Sequence, residues 1–257
     1  MIVYTNFNQG RFGNQLFFVS ATIGIALKNN VDYGFTSQMG HSGIHYQNIF
    51  DKELPLTTTV PETKFYQNGF AYEDVILKDA EIIGYFQSEK FFKHCEQTIR
   101  EQFKFKDGVI KNVLEKYPDI ENSLSIHIRR GDYVNQPNHH PVVPISYYEK
   151  ILNEISQNYS SVFVFSDDIE WVKEKFVGEK FKFPVFEFNN DMNSFVLMSL
   201  SKDSVIGNSS FSWWAAWLNK NKDKKIYSPH YKQWFGPSYS NLDTKDLIPE
   251  NWIQTEY

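Results

Sequence analysis

Three short stretches of the sequence carry side chains whose types and spacing could do chemistry together. The first is His127-Ile128-Arg129-Arg130-Gly131-Asp132, with two guanidiniums between an imidazole and a carboxylate. A guanidinium is planar, keeps its charge at any working pH and forks onto two oxygens, so Arg129 suits a departing diphosphate. The second is Ser166-Asp167-Asp168. A carboxylate offers two acceptor oxygens, matching the adjacent N1–H and N2–H donors on the Watson–Crick edge of guanine, and uracil has no such pair. The third is Gly207-Asn208-Ser209-Ser210-Phe211-Ser212, a small polar turn ahead of an apolar run. Free N–H groups at a helix start, with serine hydroxyls beside them, make a seat for an anion. Helix capping accounts for either aspartate taken singly and for one serine, but three hydroxyls and an amide exceed what one cap requires.

Such groups meet only if they leave the ends of neighbouring strands. Leu124, Ile126 and Ile128 alternate with Ser125, His127 and Arg129, which predicts a strand that groups His127 with Arg129 and turns Arg130 to the other face, where it braces a carboxylate or the sheet. Apolar segments at 162–165, 185–188, 204–206 and 225–227 read as further strands, alternating with helical patterns at 147–156, 169–176, 192–201 and 211–218. The first half opens with a strand at 1–5, a turn containing glycine and a helix at 14–28 with Leu16, Phe17, Ser20, Ile23 and Leu27 near one face. Weak periodicity over 34–72 reads as irregular insertions, followed by a strand at 80–84 and helices at 89–103 and 108–117. Strands alternating with helices imply mainly parallel α/β sheets, whose ligands bind beyond the carboxyl ends of the strands. The segment 119–123 reads as the boundary between a first lobe, 1–120, and a second, 121–257.

Composition narrows the classes. At 257 residues, 41% hydrophobic and 22% charged, the chain can bury a full core, and no stretch approaches the roughly 18 apolar residues of a membrane span. The first residues lack the features of a secretory signal, which gives a cytoplasmic expectation. A net charge of −5 argues against nucleic-acid binding, and a single cysteine, Cys95, excludes a disulfide framework or a multi-cysteine zinc site. Aromatic residues make up 17% of the chain, enough to fill cores and also to stack on sugars or bases. There is no Gly-x-x-x-x-Gly-Lys-Ser/Thr, no Gly-x-Gly-x-x-Gly and no Asp-x-Asp. Without a metal-holding carboxylate pair, Arg129 and the Asn208–Ser210 turn are left to neutralise a diphosphate, so the expectation is no metal and no cofactor.

Taken in order, these blocks resemble the bacterial α-1,2-fucosyltransferase family, glycosyltransferase family 11. Its His-x-Arg-Arg-x-Asp hallmark is similar to 127–132, and later blocks are similar to Phe165-Ser166-Asp167-Asp168-Ile169-Glu170-Trp171, to 208–214 and to Gly84-Tyr85-Phe86-Gln87-Ser88-Glu89. The turn Gln9-Gly10-Arg11-Phe12-Gly13-Asn14-Gln15 departs from the family's usual form and resembles that of protein O-fucosyltransferases. The resemblance implies two Rossmann-like, GT-B-like lobes, with the acceptor on the first and GDP-fucose on the second. It places Arg129 on the β-phosphate, His127 and Asp168 near the guanosine, Ser209 and Ser210 by the phosphates, and Asn14 at the reaction centre.

The expected reaction is transfer of L-fucose, with inversion, to the 2-hydroxyl of a terminal β-galactoside. Its oxocarbenium-like transition state needs a stabilised leaving group and a positioned acceptor hydroxyl. Asp132 is the carboxylate nearest the motif, either assisting catalysis or holding Arg130; the residues name no general base. His139 and His140, in a loop flanked by proline, suit contact with an acceptor or are ordinary polar loop residues. The partners expected are GDP-fucose and a β-galactoside or oligosaccharide, with peripheral membrane association allowed and the oligomeric state open. Transfer of another GDP-linked sugar, protein O-fucosylation, or a noncatalytic carbohydrate-binding role are the alternatives.

Overall fold

The computed structural model describes residues 1–7, 10–36, 40–184 and 191–257. They form two units, Met1–Lys106 with Leu242–Pro249, and Asp107–Asn241 with Glu250–Tyr257. The chain enters the second unit ahead of the 119–123 segment at which sequence alone drew the line, and 242–249 returns to the first.

The first unit runs β1 (Ile2–Thr5), α1 (Phe12–Asn29), β2 (Asp32–Phe35), α2 (Gly40–Ile49), β3 (Lys64–Tyr66), β4 (Ala80–Ile83) and α3 (Glu96–Gln102). Its strands form a parallel sheet in the order β2-β1-β4-β3. The single apolar face expected of α1 is corrected: Phe18, Val19 and Ile25 are buried along with Leu16, Phe17 and Ile23, while Leu27 is 42% exposed. A helix apolar on nearly every side belongs inside. Its polar side chains are satisfied internally, Ser20 and Thr22 donating to the carbonyls of Leu16 and Phe18 at 2.8 and 2.7 Å. The stretch 34–72 is also corrected, since it contains α2 and β3. Two glycines and a serine make α2 a weak helix by propensity, and aromatic packing at its end compensates. Tyr46 and Phe50 lie 4.9 Å apart between ring centroids, and Phe50 lies 5.1 Å from Phe103. Residues 89–95 form two short 3-10 turns rather than the start of a helix.

The second unit runs α4 (Asp107–Lys116), β5 (Leu124–Ile128), α5 (Ile145–Ile155), β6 (Val162–Ser166), α6 (Ile169–Lys175), β7 (Phe181–Lys182), α7 (Asp191–Ser199), β8 (Asp203–Val205), α8 (Ser210–Leu218), β9 (Ile226–Pro229) and β10 (Ile253–Thr255). The sheet is parallel throughout, ordered β10-β9-β8-β5-β6-β7. The strand expected at 185–188 lies outside the described residues. Leu124, Ile126 and Ile128 of β5 are at most 1% exposed, each contributing about 1.5–3 kcal/mol of burial. Trp213, Trp214 and Trp217 pack α8 into the core.

The strand orders fix where a ligand can bind. From β5 the chain builds β6 and β7 on one side and later β8, β9 and β10 on the other, so the order reverses between β5 and β8. In the first unit it reverses between β1 and β4, because β2 takes the other side of β1. Each reversal opens a crevice at the carboxyl ends of the two strands.

Candidate functional site

In the second unit, the loop after β5 carries Arg129 and that after β6 carries Asp167 and Asp168. Arg129 Nη1 lies 2.8 Å from Asp167 Oδ2, and Nη2 lies 2.5 Å from Asp132 Oδ1. Its guanidinium stands 5.4 Å from the centroid of the Tyr133 ring. Each terminal nitrogen of the fork thus meets a carboxylate, which fixes the plane of the guanidinium. A glycine at 131 is needed for this closeness, because a Cβ there would meet Asp167 Oδ2 at 2.3 Å.

Arg130 is braced, as the strand alternation implied. Its Nε donates to Asp168 Oδ2 at 3.0 Å, and its guanidinium lies 3.9 Å from the Trp171 ring centroid. The backbone N–H of Arg130 donates to Asp167 Oδ1 at 2.8 Å. Asp132, weighed above as a brace for Arg130, holds Arg129 instead, and Asp168 takes Arg130. Asp168 also occupies the N-cap of α6, its Oδ1 accepting from the Trp171 N–H at 3.4 Å. Two guanidiniums face three carboxylates, a net of one negative charge, so Arg129 is held in place before any ligand arrives.

His127 is 7% exposed, and its ring lies 6.0 Å from that of Phe211. Burial lowers its pKa to about 4; Asp167 opposes the shift and Arg129 adds to it. The imidazole is therefore neutral at pH 7, and its Nδ1 is buried with no hydrogen-bond partner among the described residues. Such a nitrogen can meet a neutral donor or acceptor, according to tautomer.

Asn208 is buried more deeply than a ligand contact would suggest. Its side-chain amide donates to the carbonyls of Pro141 at 2.8 Å and Trp234 at 3.1 Å, and its backbone carbonyl accepts from the Tyr133 hydroxyl at 3.2 Å. It ties the turn before α8 to the 133–141 and 231–239 loops. Ser209 stands at the N-cap of α8 in an extended conformation, yet its side chain makes no capping bond, and Ser210 begins the helix. The Ser212 hydroxyl is spent on the Ser209 carbonyl at 3.2 Å. The first N–H groups of α8 thus have no side-chain cap from Ser209, the condition in which a helix start accepts an anion. His140 is half-buried and stacked on Tyr133 at 5.0 Å, with its pKa lowered chiefly by burial. His139 meets Tyr239 edge-on at 5.6 Å.

Asn14 lies in the first unit, in the opening turn of α1, where its Oδ1 accepts from Gln87 Nε2 at 2.8 Å. Three site residues were not singled out from the sequence. Tyr133 and Trp171 sit under the two guanidiniums, and Gln87 holds Asn14. The aromatics follow the motif residues by only a few positions, a spacing that could have exposed them. Gln87 stood within the 84–89 block without a role.

Among the described residues no three His, Cys, Asp or Glu side chains gather as a metal site, and no helix is long and apolar enough to cross a membrane.

The family model described as glycosyl transferase family 11 matches residues 4–255. The O-antigen biosynthesis glycosyltransferase WbnK of Escherichia coli is 31% identical over 207 residues, 76% of this chain and 67% of that protein. An alpha-1,2-colitosyltransferase of Escherichia coli is 34% identical over 192 residues, 68% of this chain and 62% of that protein. A galactoside 2-alpha-L-fucosyltransferase of Caenorhabditis elegans is 24% identical over 179 residues, 65% of this chain and 50% of that protein. The chain thus spans between half and about two thirds of these relatives' lengths. Among solved structures, the NodZ alpha-1,6-fucosyltransferase soaked with GDP-fucose aligns with a TM-score of 0.56 at 11% identity, covering 90% of this chain and 96% of that one. The apo form of POFUT1 aligns with a TM-score of 0.54 at 12% identity, covering 88% and 97%. At such identities the likeness is one of fold, and the GT-B-like α/β class read from the sequence holds.

Proposed function

The chain belongs to glycosyl transferase family 11, and on that premise we propose that it transfers L-fucose from GDP-fucose to the 2-hydroxyl of a terminal β-galactoside, with inversion. The observation that carries the reading is Arg129, held between Asp132 and Asp167 at the β5 end of the strand-order reversal, with the start of α8 following the other strand of that reversal. In this reading GDP-fucose occupies the second unit and the acceptor the first. The Arg129 guanidinium and the uncapped start of α8, with Ser209 and Ser210, take the diphosphate as its charge develops. Asp132 keeps Arg129 aimed. His127, neutral and buried, and Asp168 lie by the guanosine, Asn208 holds the phosphate turn, and Asn14 stands at the reaction centre. The galactoside 2-alpha-L-fucosyltransferase among the similar proteins supports the linkage, and the structure soaked with GDP-fucose supports the donor.

A second reading is favoured by the 34% identical alpha-1,2-colitosyltransferase: the same linkage made with a different activated sugar. Incubation with lactose and either GDP-fucose or nucleotide-activated colitose, followed by linkage analysis of the product, separates the two. An α-1,2-fucosylated product from GDP-fucose is expected. Product from activated colitose alone overturns the choice of sugar, and no product from either overturns the terminal β-galactoside as acceptor.

A further inference from the structure

In the second unit β5 and β8 diverge at the crevice. Their ladder ends with the pair Ile126 and Val205, after which β5 runs on towards Arg129 and β8 turns through Gly207 and Asn208 into α8. Buried carbonyls beyond a ladder's last pair need other partners. Here three of them accept from tyrosine hydroxyls: His127 from Tyr148 at 3.2 Å, Ile206 from Tyr147 at 3.1 Å and Asn208 from Tyr133 at 3.2 Å.

Tyr147 and Tyr148 lie near the start of α5 and are at most 1% exposed, their rings edge to face at 4.9 Å. Neighbours on a helix diverge by about 100°, so one helix start reaches both strands, Tyr148 the β5 end and Tyr147 the β8 end. Burial raises the pKa of both, which keeps the hydroxyls protonated as donors. Gly207 belongs to the same arrangement: a Cβ there would meet the Tyr148 hydroxyl at 2.9 Å and the His127 carbonyl oxygen at 3.1 Å. Tyr133 makes the third tie from the other side. It follows Arg129 in the β5 loop, its ring 5.4 Å from that guanidinium, and reaches across to the carbonyl of Asn208, the residue before the N-cap of α8. His140 backs the ring at 5.0 Å, and the 133–141 loop is fixed in turn by the N–H groups of Gly236 and Ser238, which donate to the His139 and Asn138 carbonyls at 2.9 Å.

We propose that Tyr133, Tyr147 and Tyr148 are positioning residues that set the spacing between Arg129 and the start of α8, so that both meet one diphosphate. None of the three has to touch the ligand. A hydroxyl needed only to satisfy a carbonyl could come from any direction, whereas these tie both diverging ends to one helix and then to each other. Only the identity of the anion as a nucleoside diphosphate rests on the transferase reading.

The test uses the full chain and the variants Tyr133→Phe, Tyr148→Phe and Arg129→Lys, alone and combined. Binding of GDP is measured by calorimetry and that of guanosine by ligand-observed NMR. Phenylalanine keeps each ring and removes only the hydroxyl. Each tyrosine variant should weaken GDP about two- to tenfold, the worth of one neutral hydrogen bond, and Tyr133→Phe should leave guanosine unchanged because it carries no phosphate. A tyrosine acting on stability alone would lower the melting temperature without changing the GDP affinity of the folded protein. Because Tyr133 acts through the fork of Arg129, Tyr133→Phe should cost less in the Arg129→Lys background than in wild type. Wild-type GDP affinity in either folded tyrosine variant, equal losses of GDP and guanosine in Tyr133→Phe, or losses that multiply with Arg129→Lys overturns the proposal. Should Tyr148→Phe not fold, Tyr133→Phe, at a half-buried side chain, carries the same criteria. A wild-type protein that does not bind GDP overturns the donor reading and the proposal together, a result distinct from wild type and variants binding it equally.

Discussion

The two units reverse their strand order in the same way and furnish the reversal with opposite chemistry. In the second unit the loops after β5 and β6 bring two guanidiniums against three carboxylates, with an uncapped helix start after β8. In the first unit the loops after β1 and β4 bring together the amides of Asn14, Gln15 and Gln87. A charged leaving group needs fixed charges held in place beforehand, because reorienting them during reaction would consume the stabilisation. A neutral hydroxylated ligand needs direction rather than field, which amides provide. One parallel α/β plan therefore presents fixed charges at one reversal and neutral amides at the other.

The widest separation between the units is expected at Arg129. Replacing it with alanine removes the forked donor from the departing diphosphate, and turnover with GDP-fucose and lactose should fall about 100-fold or more. Arg129→Lys should recover part of this, since an ammonium restores charge without the fork that reaches both Asp132 and Asp167. A folded Arg129→Ala enzyme at near wild-type rate would remove the charged half of the comparison.

Next in size is Asp168. If its carboxylate meets guanine, Asp168→Ala should weaken GDP by about 2–3 kcal/mol and erase the preference for GDP over inosine diphosphate, which lacks the 2-amino group. The same change removes the cap of α6 and the partner of Arg130, costing about 1 kcal/mol of stability from the cap alone. Calorimetry with both nucleotides, beside a melting curve, separates the roles. A lower melting temperature with an unchanged nucleotide preference leaves Asp168 a scaffold residue.

The charged reversal also carries a buried imidazole. His127 is lowered by burial to about 4, below its ordinary 6.5, so the unfolded chain takes up a proton that the folded chain refuses. Its contribution is intact above the unfolded pKa, is lost as pH falls from about 6.5 towards 4, and changes little further below that. Between pH 7 and 5 the loss should be about 2 kcal/mol from this group. Denaturant unfolding of wild type and His127→Gln at both pH values measures it: the variant should lose less stability on acidification. An identical loss would show that His127 does not govern the acid response.

The legibility of the two units differed in the same way. The β5 motif could be read because charged side chains leaving an apolar strand stand out, and the alternation of Leu124, Ile126 and Ile128 fixed its register. Which carboxylate would take which guanidinium could not be read, since loop dihedrals decide it; Asp132 went to Arg129 and Asp168 to Arg130. Asn208 looked like a ligand contact because its composition fits one, while its bonds to Pro141 and Trp234 join residues distant in sequence. In the first unit α2 was hidden by its poor propensity and rescued by Phe103 and Phe105, far along the chain. Gln87 carries no charge to mark it, and its placement depends on the positive φ of Phe86, which no sequence pattern announces.

The smallest expected effect is that of chelation. A divalent cation on the diphosphate would call for several oxygen ligands in near-octahedral array, and Asp132, Asp167 and Asp168 are the carboxylates at hand. Each is already engaged: Asp132 by Arg129, Asp167 by Arg129 and the backbone of Arg130, and Asp168 by Arg130 and the start of α6. To hold a metal they would have to release both arginines, exchanging one source of positive charge for another and leaving the guanidiniums unpaired. On the proposed reading, leaving-group stabilisation falls to Arg129 and α8, so turnover of GDP-fucose should be unchanged in excess EDTA and unchanged again when manganese is restored. Loss of activity with EDTA and its recovery with manganese would mean that these aspartates leave their arginines in the working enzyme. The contrast between a unit of preset charges and a unit of neutral amides would then have to be redrawn around a metal.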